Sequence, residues 1–101
     1  MMTSQIDVDN LEVRNNPTEG RFEVQLGDKI GQIVYYLEGQ SIVFVHTEVP
    51  REYGGQGIAD KMATTALEYA RSEHLKVVPL CPFMSSYIRR HPEYRSLVTG
   101  G

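Results

Sequence analysis

The run Glu52-Tyr53-Gly54-Gly55-Gln56-Gly57-Ile58-Ala59 divides the chain into two halves of different character. Before it, apolar residues recur every second position. After it, they recur at helical spacing. A glycine-rich turn between a strand and a helix limits the chain to folds in which a sheet feeds a helix through a tight, backbone-exposing loop.

The first half reads as a meander. Residues 11–15 form a short first strand. Asn16, Pro17, Thr18, Glu19 and Gly20 are turn formers. Phe22, Val24 and Leu26 alternate with Arg21, Glu23 and Gln25, the pattern of a half-buried strand. Gly27 and Asp28 turn the chain into a third strand over residues 29–37. Glu38, Gly39 and Gln40 turn it into a fourth over residues 41–48. Connections this short join antiparallel neighbours. Strict alternation in the fourth strand predicts that Ile42, Phe44, His46 and Glu48 share one face, and Val43, Val45, Thr47 and Val49 the other. Pro50 ends regular pairing because it has no N–H to give.

In the second half, Ala59, Met62, Ala63, Ala66, Leu67 and Ala70 predict one apolar face of a helix over residues 57–73. Residues 76–80 read as a buried strand. A right-handed crossover makes it parallel to the fourth strand. Cys81 ends this strand and Pro82 suits the first turn of a second helix, which closes near His91 and Pro92. The expected fold class is therefore α+β: an antiparallel meander, a β-α-β unit and a short C-terminal helix. With 101 residues, one domain is expected over 11–98, flanked by tails at 1–10 and 99–101.

Composition narrows the function classes. The net charge of −3 is not that of a nucleic-acid binder. No apolar run reaches the roughly 18 residues of a membrane span, and the N-terminus has no secretory pattern, so a cytoplasmic location is expected. Cys81 is the sole cysteine and the three histidines lack ligand spacing, so no metal is expected. Arg89 and Arg90 read as the solvated end of a helix rather than a phosphate contact.

The glycine run has two readings. It is either a plain turn that starts a helix, or an anion cradle in which unpaired amides and the helix dipole face a phosphate. It is not a P-loop, since Ile58 and Ala59 follow Gly57 where Lys and Ser or Thr are needed. It is not the dinucleotide pattern either, because Asp60 fills the third glycine's place.

The stretch from Val49 to Ala59, set between a β-rich half and an alanine-rich helix, resembles the coenzyme A-binding segment of GNAT acetyltransferases. That pattern is Arg or Gln, two variable residues, Gly, one variable residue, then Gly or Ala. Gly57, Ile58 and Ala59 match its last three places, while Gly54 departs from its first. His46-Thr47-Glu48-Val49, the glycine run, Cys81-Pro82-Phe83 and His91-Pro92-Glu93-Tyr94 together resemble the minimal, single-domain branch of the superfamily over roughly residues 20–98.

This resemblance implies an N-acetyltransferase that moves an acetyl group from acetyl-CoA to an amine. It implies cofactor contacts from Val49, Arg51, Gly54, Gly55, Gln56, Gly57, Ile58 and Ala59, and a functional pair in His46 and Cys81. His46 suits a general base, because a histidine side chain ordinarily changes charge near neutral pH; its other reading is a satisfied histidine packed beside Phe44. Cys81 either contacts the acyl-CoA end, carries the acyl group covalently, or simply fills space. Tyr87 reads as a packing residue, although larger GNAT enzymes use a nearby tyrosine as proton donor. Larger members also insert helices between their first two strands. The turn at 16–20 leaves no room for them, which implies an open acceptor side and a large acceptor such as a protein lysine. A coenzyme A-binding module without catalysis is the alternative.

Overall fold

The computed structural model describes residues 7–98. The expected tails at 1–10 and 99–101 lie outside them except for residues 7–10, where Val8–Asn10 make a 3₁₀ turn and Val8 packs against the core. The strands are β1 (Arg14–Asn16), β2 (Arg21–Leu26), β3 (Lys29–Glu38) and β4 (Ser41–Glu48). A 3₁₀ turn, Arg51–Tyr53, leads to α1 (Ile58–Ser72), then β5 (Lys76–Pro79), α2 (Pro82–Arg90) and a last 3₁₀ segment, Pro92–Leu97.

The five strands lie in sequence order in one sheet. The first four pair antiparallel, and β5 pairs parallel to β4, the expected meander and crossover. The first strand starts later than expected and the fifth is one residue shorter, because Leu80 leaves the sheet and is 61% exposed.

Phe22, Val24 and Leu26 are buried, as their alternation requires. Ile33, Tyr35, Ile42, Phe44 and Val77 complete the same face, and α1 covers it with Met62, Ala63, Ala66, Leu67 and Ala70. The helix register differs from expectation at its head: Ile58, not Ala59, is the first residue driven into the core. Gly31 lets the helix sit close, since a Cβ there would stand 3.2 Å from Val24 and 3.3 Å from Met62. At its far end α1 closes with Leu75 N–H donating to the Ala70 carbonyl and His74 N–H to that of Arg71. His74 takes the left-handed conformation there, φ 59°, a place glycine usually fills.

The fourth strand departs from strict alternation. Val34 pairs with His46 but its neighbour Tyr35 pairs with Phe44, so Val45 is an extra residue, a β-bulge. Val45 and His46 are consecutive exposed residues, and Thr47 comes back to the side of Ile33, its partner, which is fully buried. The expected face of Ile42, Phe44, His46 and Glu48 is thus broken in the middle. Ile42 and Phe44 face the core, whereas His46 and Glu48 face away from it.

Candidate active site

Two features meet at the C-terminal end of β4. The first is a fork in the sheet. Parallel pairing of β4 with β5 ends at Phe44 and Pro79, and Cys81 N–H makes a last bond to the Phe44 carbonyl at 2.9 Å. Beyond that point β4 runs on to Glu48 while the other chain turns into α2. Bulges bend the strand that carries them and add twist, which accounts for the parting at this place.

The second feature is the glycine loop. Gly55 and Gly57 have φ of 79° and 85°, in the left-handed region where side chains are disfavoured. Gly57 is the N-cap of α1 and supplies no side-chain cap. Its carbonyl receives the first helical bond from Lys61 N–H at 3.1 Å. The amides of residues 58–60 therefore precede the helical ladder and point outward with the positive end of the helix dipole.

Loop and strand end enclose a hollow of about 380 Å³, lined by Val49, Tyr53, Gly54, Gly55, Gly57, Ile58, Ala59 and Asp60. A Cβ built on Gly55 or Gly57 would meet nothing within 4 Å, so the space before both backbones is open to a ligand. Six of the eight cofactor-binding residues suggested by the sequence line this hollow. Arg51 sits in the exposed 3₁₀ turn and Gln56 is half-buried, and neither lines it. Tyr53 and Asp60 were not expected there.

The loop is anchored from outside. Lys29 Nζ lies 2.6 Å from Glu52 Oε2. Each holds the other charged: the ammonium keeps the Glu52 carboxyl below its ordinary value, and the carboxylate raises that of Lys29. A hollow of similar size, about 360 Å³, lies by the N-terminal segment and β2. Its Arg14 and Glu23 sit among mixed charges, and no glycine loop opens onto it.

Cys81 is 3% exposed at the base of the fork. Its Sγ lies 3.2 Å from Thr47 Oγ1, the residue that the bulge returns to the inner side. His46 is on the opposite face of β4, with a side chain 59% exposed and Nε2 3.7 Å from Glu48 Oε1. The cysteine is thus brought to Thr47, not to His46. No signal in the sequence marks this, because Val45 is β-branched and carries no glycine or proline cue. Tyr87 is buried: its hydroxyl hydrogen-bonds Thr64 on α1 and its ring stacks on His91 at 4.0 Å. It ties α2 to α1. Among the described residues no three His, Cys, Asp or Glu side chains gather as a metal site, and no helix is long and apolar enough to cross a membrane.

The sheet thus forks after a bulge, beside a glycine loop that heads a helix. Residues 21–97 match the family of GCN5-related N-acetyl-transferases, and the chain belongs to that family. Among individual proteins, it is similar to Protein NATD1 of Gallus gallus, 29% identical over 85 residues that cover 81% of this chain and 77% of the relative. Protein NATD1 of Homo sapiens is likewise 29% identical, over 81% of this chain and 75% of its own. A GCN5-like protein from Staphylococcus aureus, solved by NMR in solution, superposes with a TM-score of 0.70 at 27% identity and covers 91% of both chains.

Proposed function

We propose that the protein transfers an acetyl group from acetyl-CoA to an amine, with the glycine loop as the diphosphate site. One observation carries this reading: two left-handed glycines present open backbone at the head of α1, directly beside the strand end where β4 and β5 part. The residues fit the group. Amides of residues 55–59 suit a diphosphate, and Val49 at the strand end suits the pantetheine arm. When bound, acetyl-CoA supplies an activated thioester.

The chain's own residues have limited but definite work. The acceptor amine must lose a proton as its nitrogen bonds to the acetyl carbon and the carbon–sulfur bond breaks, the departing thiolate then gaining a proton. His46 is exposed at the strand end, its Nε2 3.7 Å from Glu48 Oε1, and takes the amine proton. Cys81 lines the fork. Its hydrogen-bonding neighbour is a hydroxyl rather than a base, which favours direct attack by the amine over an acyl-cysteine. The turn between β1 and β2 adds no wall, so the acceptor side suits a large amine such as a protein lysine.

A second reading, a coenzyme A-binding module without turnover, draws on the separation of His46 from Cys81. Isothermal titration with acetyl-CoA, followed by acetyl transfer to a lysine-rich peptide, decides. Binding with transfer supports the enzyme, and binding without transfer supports the module. No heat at millimolar ligand removes both. The direct route further predicts that Cys81→Ala keeps most of the transfer rate, while His46→Ala lowers it about a hundredfold, the usual size of a general-base contribution.

A further inference from the structure

We propose that Arg90, in the last turn of α2, donates to the diphosphate in the glycine loop, and that Asp60 holds it at the rim. This rests on the acetyl-CoA reading above and assigns it a residue that the loop itself lacks.

Gly54 stands where the family pattern has Arg or Gln, so the loop offers amides but no side-chain donor at that place. Asp60 is also one of the residues lining the hollow, and a lone carboxylate there repels a diphosphate. The fold answers both with one guanidinium. Arg90 Nη2 lies 3.8 Å from Asp60 Oδ1, brought from a different helix.

Arg90 is steadied from a second direction. Its guanidinium lies over the Tyr87 ring, 5.5 Å from the centroid, and that ring is fixed by Thr64 and His91. Both partners of the Asp60–Arg90 pair are about half exposed, each 51%, so the pair adds little stability as a salt bridge. Its consequence is positional: it sets a cation beside the hollow. Arg51, in the exposed 3₁₀ turn, does not line the hollow, and the two nearby lysines are engaged elsewhere. Lys61 Nζ donates to the Asp9 carbonyl at 3.2 Å, and Lys29 is held by Glu52. A guanidinium has enough N–H donors to stay beside Asp60 and still bond phosphate oxygens with its fork.

The test is titration calorimetry of the whole chain with CoA and with 3′-dephospho-CoA, which keeps the diphosphate but lacks the ribose phosphate. Arg90→Ala should weaken both ligands about tenfold, the effect of one charge-assisted hydrogen bond. Arg90→Lys should recover part of the loss, because a point charge lacks the planar fork. In an Asp60→Asn background, Arg90→Ala should still weaken binding severalfold. Urea midpoints close to wild type should accompany all of these variants, since the pair is exposed.

An unchanged affinity in Arg90→Ala overturns the assignment. So does a loss confined to CoA, which would place Arg90 on the ribose phosphate. A loss that vanishes in the Asp60→Asn background overturns it as well, because Arg90 would then only neutralise Asp60. These failures differ from that of the acetyl-CoA reading, in which the wild-type chain itself gives no heat.

Discussion

Gly57 occupies a conformation that a Cβ disfavours, while nothing within 4 Å blocks a side chain there. Strain and space are therefore separable at this residue. Gly57→Ala should cost about 1 kcal/mol of stability from the left-handed backbone alone. It should also weaken CoA by about tenfold or more, since the added methyl stands where the ligand must approach the amides. Urea denaturation and calorimetry on the same preparation read the two effects. A variant that loses stability but binds CoA as wild type would show that the loop serves only to start α1. Thr47 is the counterpart on the strand. Its hydroxyl meets the buried Cys81 thiol at 3.2 Å, a contact between residues far apart in the chain. The glycines of the loop are visible in the sequence because their conformation is a property of the residue type. The partner of Cys81 is not, because it depends on a register shift that no local residue preference announces.

At the scale of elements, β4 decides the geometry. A strand of eight residues with one extra residue at Val45 keeps Phe44 and Thr47 on the inner side and His46 on the outer. Removing Val45 would restore simple alternation without moving any of these residues to the other face. The deletion should therefore leave a folded protein, with a thermal midpoint within a few degrees of wild type. It should abolish measurable CoA binding, since a flatter strand no longer parts from β5. Retained binding in a folded deletion variant would separate the fork from the bulge. The helices were more legible than the strands' details. Six small or flexible apolar side chains at helical spacing define the buried face of α1, with the one shift from Ala59 to Ile58 at its head. That shift frees Ala59 to line the hollow.

At the scale of the molecule, the C-terminal elements are fastened to α1 by aromatic side chains. Tyr94 donates to Glu68 at 2.7 Å under the guanidinium of Arg71, and Tyr87 reaches Thr64. Burial, reinforced by the Glu68 carboxylate, pushes the Tyr94 hydroxyl up to about 12 from its ordinary value of 10.0. Burial raises Tyr35 as well. The fold therefore prefers the neutral phenol. Its contribution is complete below the unfolded value, near pH 10, and is lost as pH rises from there through the folded value. Stability should fall by roughly 2 kcal/mol across that interval on account of Tyr94. Tyr94→Phe should be less stable at neutral pH, having lost the Glu68 bond, yet should show a shallower alkaline decline. Urea midpoints measured from pH 8 to 12 compare the slopes, and equal slopes would remove Tyr94 from the alkaline transition.

Periodicity, turn residues and the length of the connections determined the order of strands and helices, the antiparallel meander, the parallel return of β5 and the place of the glycine loop. These follow from side-chain spacing and from backbone freedom, which are local properties of the chain. Tertiary structure decided which side chains meet: Thr47 with Cys81, Arg90 with Asp60, and His46 turned outward. Those contacts depend on one unpaired residue in β4 and on the docking of α2 against α1, and both are settled by packing across the whole molecule rather than by any neighbour in sequence.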